Sequence, residues 1–219
     1  MKRTSRFLSL IFLIALIIFT LTVSIGLPIY VRQFYYAHVD ALDLADKYGM
    51  DRQDIIDAYD EVLDFLTKEG HEFGTGVLPY SEEGMSHFVD CKMLFDLNKY
   101  AFLISVSLIV LLFLLDRIGL VRLARPFGLP LYFFAGVLTL VLVAVLGVLI
   151  AQNFSVAFTI FHKLFFPGKS NWLFDPYEDP IILFMPSQFF MDCAILIGAS
   201  VLLVSLGFII SGIRRRYIA

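Results

Sequence analysis

Residues 7–31 read FLSLIFLIALIIFTLTVSIGLPIYV and follow a basic start made of Lys2, Arg3 and Arg6. The run contains no charged side chain and exceeds the roughly 20 residues that a helix needs to cross a bilayer. A cleavable signal peptide has an apolar region of only about 7–15 residues followed by a small-residue cleavage site, and this run has neither property. Residues 1–31 are therefore predicted to form a retained transmembrane helix.

The composition of the whole chain also indicates a membrane protein. Hydrophobic residues make up 59% of its 219 residues, and the mean hydropathy is +0.81. Soluble domains contain only about 45–50% apolar residues, so this excess requires the bilayer as solvent. The net charge of −3 gives no electrostatic reason to expect a nucleic-acid partner.

Three further apolar runs predict three further transmembrane helices, at residues 100–115, 130–152 and 193–213. The run at 100–115 is short for a bilayer, so its helix is expected to begin earlier in the chain. The predicted fold class is an all-α membrane protein with four transmembrane helices and a helical extracytoplasmic segment between helices 1 and 2. The expected divisions are 1–31 (helix 1), 32–99 (extracytoplasmic segment), 100–152 (helices 2 and 3), 153–192 (outer interfacial loop) and 193–219 (helix 4 and a basic cytoplasmic tail).

The basic residues predict which ends of the helices face the cytoplasm. More than half of the 17 lysines and arginines lie in three short segments whose only acid is Asp116. They are Lys2, Arg3, Arg6, Arg117, Arg122, Arg125, Arg214, Arg215 and Arg216. The positive-inside rule assigns these segments, and therefore both termini, to the cytoplasm. Segments 32–99 and 153–192 are then expected on the outer side.

The middle of the first outer segment predicts an amphipathic helix. Asp51 is a plausible N-cap and Gly70 a plausible stop. Between them, one apolar stripe contains Ile55, Ile56, Tyr59, Val62, Leu63 and Leu66. The many acids around this stripe are interpreted as a solvated face, and the segment as a scaffold or lid over the membrane domain.

The stretch SEEGMSHFVDCKMLF at residues 81–95 combines polar groups on one helical face. His87, Asp90 and Cys91 are three and four residues apart, which places them on the same side of a helix. A carboxylate three residues after a histidine can orient the imidazole or support its charged form. This face is also close to the point where the second span enters the membrane.

The stretch FHKLFFPGKSNWLFDPYEDPIILFMPSQFF at residues 161–190 is neither a clean span nor a polar loop. Its aromatics, prolines and single charges are typical of an interfacial or re-entrant segment at the outer leaflet. The prolines prevent a long helix here, so the backbone must be supported by the surrounding protein. Irregular segments of this kind typically line a cavity.

Two of the four histidines are candidates for acid–base chemistry. His38 and His71 flank the acidic helix and are interpreted as surface residues, whereas His87 and His162 are predicted near the outer membrane surface. Imidazole can take and give a proton near neutral pH. The chain contains no GxSxG, HExxH, CxxC or phosphate-binding glycine loop. Its two cysteines, Cys91 and Cys193, are interpreted as buried thiols, with a disulfide as the alternative.

The two stretches and the four-span layout together resemble the bacterial lipoprotein intramolecular transacylases, small four-span proteins of Gram-positive membranes. The more specific match is the second stretch, with its order FH…FFPG…W.FDP…D…P..FF. The resemblance implies an acyltransferase of the bacterial cell membrane with its active site on the extracytoplasmic face. Such an enzyme moves the sn-2 acyl chain of a lipoprotein's S-diacylglyceryl cysteine to the α-amino group, giving a lyso-form lipoprotein.

Carried over by motif, the family's two functional histidines are His87 and His162. The resemblance implies a diacylated lipoprotein substrate and membrane lipids as partners, with no cofactor, no metal and no nucleic acid. One histidine is expected to be the general base and the other a proton relay or oxyanion partner, and the sequence does not decide between them. Cys91 is either a structural thiol or an acyl-accepting nucleophile. Supporting roles are expected for Asp90, Lys92, Trp172, Asp175 and Asp179.

Two other classes of protein remain open at this point. One is a haem-binding membrane electron carrier with His87 and His162 as axial ligands, although both histidines fall outside the predicted spans. The other is a non-enzymatic membrane chaperone or regulator, in which the acidic segment binds a partner and the histidines are structural. A Soret band would favour the first class, and unchanged lipoprotein N-termini after substitution of both histidines would favour the second.

Overall fold

Four long helices dominate the computed structural model, which describes residues 4–218. Within that range, the helices long and apolar enough to cross a membrane are α1 (Arg6–Tyr30), α5 (Glu82–Arg117), α6 (Leu131–Gln152) and α9 (Ser187–Ile218). The described residues contain no β-strand. The predicted class, an all-α membrane protein with four transmembrane helices, is confirmed. Lys2, Arg3 and Ala219, which belong to the predicted basic start and tail, lie outside the described residues.

Shorter helices fill the segments between the long ones. They are α2 (Gln33–Ala41), α3 (Leu44–Tyr48), α4 (Arg52–Thr67), α7 (Phe154–Phe165) and α8 (Ile181–Phe184), together with a 3-10 turn at Pro126–Gly128. Helix α5 begins well before the apolar run at 100–115, and α9 begins before residue 193. The earlier start of α5 was expected, whereas the start of α9 was placed too late. A charged residue, Asp192, ends the apolar run there without ending the helix.

The chain divides into two compact units. The span unit comprises Met1–Gly26, Asn98–Leu149 and Leu196–Ala219, and the site unit comprises Leu27–Leu97 and Ile150–Ile195. In the span unit, glycines allow α6 and α9 to approach closely. A Cβ on Gly136 would lie 2.7 Å from the carbonyl oxygen of Ser205, and one on Gly212 would lie 2.7 Å from the Cβ of Phe133. Small residues serve the same purpose in many membrane helix pairs.

The core of the site unit is built around the apolar stripe of α4. All six predicted stripe residues are buried, and Asp51 caps the helix by accepting a hydrogen bond from the backbone of Gln53 at 2.7 Å. The rings of Tyr35 and Tyr59 stack in this core with centroids 3.6 Å apart. The helix itself ends at Thr67, before the predicted stop at Gly70.

The interpretation of His38 as a surface residue is wrong. Its side chain is only 14% exposed and its Nε2 lies 3.0 Å from a carboxylate oxygen of Asp192. The ring also packs against Phe34 and Phe189. The flanking residues of α2 are largely apolar, with Tyr35 and Val39 buried. The contacts with Phe189 and Asp192 of α9 are what partly bury His38 itself. His71 is exposed, as predicted.

A buried carboxylate from the segment between α7 and α8 holds the start of α5. Ser81 caps the helix, because its hydroxyl accepts a hydrogen bond from the backbone N–H of Gly84 at 2.9 Å. Asp179 accepts from the backbone N–H of Ser81 at 2.8 Å and from its hydroxyl at 2.7 Å. A Cβ at position 84 would displace this carboxylate, so glycine there leaves room for Asp179. Helix α5 is thereby fixed where it carries His87.

Replacement of Asp179 by alanine is expected to destabilise the protein. Loss of this buried acceptor leaves the Ser81 donors without a partner, which costs about 1–3 kcal/mol of unfolding free energy. Thermal denaturation of the purified protein in detergent measures the effect. Glu178→Ala, at the exposed neighbouring position, is the control and should have the same melting temperature as the wild type. Equal melting of Asp179→Ala and the control would show that this carboxylate does not hold α5.

Candidate active site

The structure brings the two predicted histidines together inside the site unit. His87 comes from the second turn of α5 and His162 from the last turn of α7. Their ring centroids are 5.7 Å apart and the ring planes differ by 30°. Only 5% of His87 and 7% of His162 are exposed. The pair therefore forms one buried imidazole centre, although the residues are distant in sequence.

The hydrogen bonding of His162 fixes the position of its ring proton. Its Nδ1 lies 2.8 Å from the carbonyl oxygen of Phe158, one turn earlier in α7. A carbonyl oxygen only accepts hydrogen bonds, so Nδ1 carries the proton and donates it. In the neutral ring, Nε2 is then the nitrogen with the lone pair. Burial lowers the pKa of His162 below its ordinary value, opposed by the hydrogen bond with Phe158.

His87 has one occupied and one unoccupied ring nitrogen. Its Nε2 lies 3.3 Å from the Sγ of Cys91, one turn later in α5. Its Nδ1 is buried and has no hydrogen-bond partner among residues 4–218. A buried polar atom without a partner is costly and is uncommon outside functional sites. The Nδ1 of His87 is therefore a candidate contact for a substrate.

Aromatic side chains enclose the two imidazoles. Ring centroids of Phe166 and Phe174 lie 5.1 and 5.5 Å from that of His87. Those of Phe158 and Trp172 lie 4.3 and 4.7 Å from that of His162, and the indole is stacked on the imidazole. Such walls exclude water and strengthen hydrogen bonds and charge interactions inside them. They also suit an apolar substrate group.

Asp90 holds a loop rather than an imidazole. The Nζ of Lys169 lies 2.5 Å from its Oδ1, and the Nδ2 of Asn171 donates to its Oδ2 at 3.1 Å. The helical spacing correctly placed Asp90 on the same face as His87, but the loop after α7 supplies the donors that its carboxylate binds. Lys169 and Asn171 were not predicted, since isolated polar residues in a loop carry no periodic signal.

Lys92 fastens α5 to the end of α4. Its ammonium donates to the backbone carbonyls of Phe65 and Lys68, and lies 4.7 Å from the centroid of the Phe65 ring. The last carbonyls of a helix have no partners within the helix and favour a cation. Lys92 therefore provides hydrogen bonds to carbonyl groups at the C-terminal end of α4.

The other residues expected to support the site have separate places. Trp172 stacks on His162, and its Nε1 donates to the carbonyl of Lys169 at 3.1 Å. Asp175 shapes a turn, accepting from the backbone N–H of Tyr177 at 3.0 Å. Asp179 binds Ser81 at the start of α5. Trp172 thus contacts the imidazole pair directly, while the two aspartates organise the chain around it.

Both cysteines, Cys91 and Cys193, are free thiols, so the disulfide alternative is wrong. Within residues 4–218, no group of three or more His, Cys, Asp or Glu side chains is arranged to hold a metal ion. The polar side chains at the centre of the site are two imidazoles and the Cys91 thiol, which can transfer protons and form hydrogen bonds.

Comparisons with known proteins agree on one family. A family model described as Lipoprotein intramolecular transacylase Lit matches residues 10–190. The structure of the membrane integral lipoprotein intramolecular transacylase Lit from Bacillus cereus matches with a TM-score of 0.86 and 24% identity, covering 98% of each chain.

Two variants of that Bacillus cereus protein match as well, and both have a TM-score of 0.79. One has a histidine-to-arginine substitution, with 24% identity over 97% of this chain and 93% of that chain. The other has a histidine-to-alanine substitution, with 23% identity over 98% of this chain and 96% of that chain. These structural matches show the shared fold.

A comparison with curated proteins finds no match. The family model nevertheless spans most of the chain, from within α1 to the start of α9. Because of that coverage, this chain belongs to the lipoprotein intramolecular transacylase family, whose members are acyltransferases.

Proposed function

We propose that this protein transfers the sn-2 acyl chain of a lipoprotein's S-diacylglyceryl cysteine to the α-amino group of the same cysteine. The observation that carries the proposal is the buried pair His87 and His162, with ring centroids 5.7 Å apart. The reaction breaks the glyceryl ester C–O bond and forms an amide C–N bond. The amine loses a proton and the glyceryl oxygen gains one, so no cofactor is needed.

His162 is the proposed general base. The α-amino group has a pKa of about 7.7–8.0 and must be neutral to attack an ester. The Nδ1–H of His162 is bound to the carbonyl of Phe158, which leaves Nε2 to accept the proton of the amine. The lowered pKa of His162 keeps this nitrogen unprotonated at neutral pH. After the C–O bond breaks, the same nitrogen returns the proton to the glyceryl oxygen.

His87 is the proposed donor to the oxyanion of the tetrahedral intermediate. When the thiol of Cys91 donates S–H to Nε2, the ring proton of His87 resides on Nδ1. That buried Nδ1–H lacks a partner in the described chain, and the ester oxygen would provide one. A donor fixed before the reaction stabilises developing negative charge most effectively in a water-poor site.

The aromatic walls determine which nucleophile receives the acyl group. Phe158, Phe166, Phe174 and Trp172 surround the imidazoles and limit the access of water. Exclusion of water favours aminolysis over hydrolysis of the ester. Because amine and ester belong to one molecule, proximity supplies much of the rate.

The site is proposed to face the outside of the bacterial cell membrane, with both termini in the cytoplasm. The clusters of arginine near 117–125 and 214–216 support this orientation through the positive-inside rule. The segments that carry His87 and His162 then lie on the outer side. Mature lipoproteins display their lipidated cysteine on that side of the membrane.

Asparagine substitutions are expected to separate the two roles. The amide Nδ2 of asparagine can replace the Nδ1–H of a histidine but cannot act as a base. His162→Asn should therefore lower the rate by about 10²–10⁴. His87→Asn should retain more activity than His87→Ala, which should lose about 10²–10³.

Tandem mass spectrometry of a diacylglyceryl lipopeptide after incubation with each variant measures the acyl transfer, because substrate and product have equal mass and differ only in their fragments. His71→Asn, at an exposed position, is the control and should match the wild type. Retention of full activity in His162→Asn would exclude its role as the base. Activity in His87→Asn that is no higher than in His87→Ala would argue against donation from Nδ1.

Substitution of Cys91 distinguishes a positioning thiol from an acyl-accepting nucleophile. In the proposed mechanism Cys91→Ala lowers kcat at most about tenfold, because only one weak hydrogen bond to His87 is lost. Cys91→Ser restores a donor and should recover most of that loss. Cys193→Ala is the control for removal of a thiol. Complete inactivity of Cys91→Ala would indicate covalent catalysis by the thiol instead.

The pH dependence of the rate is expected to show two titrations on the acid side. The substrate's α-amino group has a pKa of about 7.7–8.0, so the rate should first fall as this amine is protonated. The lowered pKa of His162 means that Nε2 becomes protonated only on the acid side of about pH 6.5, and the fall should steepen only there. Rate measurements with the purified wild type and with His162→Asn test the expectation, since the variant should lack the steeper part. A steeper part that begins above pH 7, or that persists in His162→Asn, would contradict it.

A further inference from the structure

A polar cleft lies next to the imidazole pair in the site unit. One wall consists of Glu82, Glu83 and Ser86 on the first turns of α5, and the other of residues 168–171 in the loop after α7. Its volume is about 460 Å³. Ser86 directly precedes His87 in the chain. The loop wall likewise directly precedes Trp172, which stacks on His162, so the cleft is lined by chain neighbours of residues at the imidazole pair.

The amide of Asn171 presents an unfilled acceptor in this wall. Its Nδ2 donates to the Oδ2 of Asp90 at 3.1 Å and to the hydroxyl of Ser86 at 3.4 Å. Since a carboxylate only accepts, these bonds fix which end of the amide is the nitrogen. The Oδ1 of Asn171 is buried, and within the part of the chain that the structure describes it has no hydrogen-bond partner. It therefore requires an N–H or O–H donor from outside the chain.

We propose that the cleft receives the polypeptide that follows the lipidated cysteine, and that the first peptide N–H of this polypeptide donates to the Oδ1 of Asn171. The inference rests on the proposed function and identifies where the protein part of the substrate binds. A lipoprotein has an apolar acyl part and a polar peptide part. The imidazoles are enclosed by aromatic rings, whereas the adjoining cleft is lined by hydroxyl, amide and charged groups.

The charges of the cleft favour a peptide over a lipid headgroup. Glu82 and Glu83 are exposed on one wall, and they would repel the phosphate of an anionic lipid. A peptide segment offers N–H donors and no fixed negative charge of its own. The acceptor is also held in place before binding, because Lys169 and Asn171 both bind Asp90. Such preorganisation lowers the conformational cost of recognition.

Two matched substrates test this contact. The first is a diacylglyceryl-cysteine peptide with glycine after the cysteine, and the second has sarcosine there, which differs only by replacing the peptide N–H with N–CH₃. The wild type should turn over the sarcosine substrate with a kcat/KM about tenfold lower, the effect of one buried hydrogen bond. Asn171→Leu should lower kcat/KM for the glycine substrate and lose most of the discrimination.

Variants and outcomes are chosen to separate recognition from folding. Asn171→Ala is a second, smaller change, and Gln188→Leu replaces an exposed amide outside the cleft and should discriminate like the wild type. For each variant, the ratio of kcat/KM between the glycine and sarcosine substrates is measured from the activity that the variant retains. A wild type that treats both substrates alike, or an Asn171→Leu variant that still discriminates tenfold, would overturn the inference while leaving the acyl transfer itself established. A wild type that acts on neither substrate would overturn both proposals.

Discussion

Two imidazoles buried in contact with each other are the constraint on which the site depends. A buried imidazolium is unfavourable, and two adjacent ones repel each other, so the pair can hold at most one extra proton. The carboxylate of Asp90 favours the charged form of His87, but burial and the neighbouring His162 outweigh it and lower the pKa of His87. The oxygens of Asp90 are bound to Lys169 and Asn171. The pair of His87 and His162 is therefore suited to take one proton and give it back within a single reaction. Transfer of an acyl group from an ester oxygen to an amine requires only that one proton is taken from the amine and given to the oxygen.

Polar contacts between distant parts of the chain hold this pair in place. Asp179 fixes the first turn of α5, and Lys92 joins that helix to the end of α4. Asp90 binds the loop that carries Trp172 onto His162. Each contact uses a charged group to satisfy backbone or side-chain partners that would otherwise be unpaired. The charged residues near the site thus hold the chain in position, while the proposed mechanism assigns the proton transfers to the imidazoles.

Hydropathy and periodicity predicted much of the fold. The four spans follow from apolar runs, and the buried face of α4 follows from its stripe between Asp51 and Leu66. The family resemblance selected His87 and His162, which the structure brings together. The contacts of Lys92 and Asp179 were not predictable, since their partners are 27 and 98 residues away in the chain. The contacts of Lys169 and Asn171 were not predicted, because a polar residue in a loop belongs to no sequence pattern that indicates its partner.

The most direct test follows the acyl chain itself. Purified protein is given a diacylglyceryl lipopeptide with an isotopically labelled sn-2 chain, mixed with an unlabelled lipopeptide of different peptide mass. The account predicts that fragment ions in tandem mass spectrometry will show the label on the α-amino group of its own peptide. Label found on the other peptide, released as free fatty acid, or left on the glyceryl group would contradict an intramolecular transfer by His87 and His162.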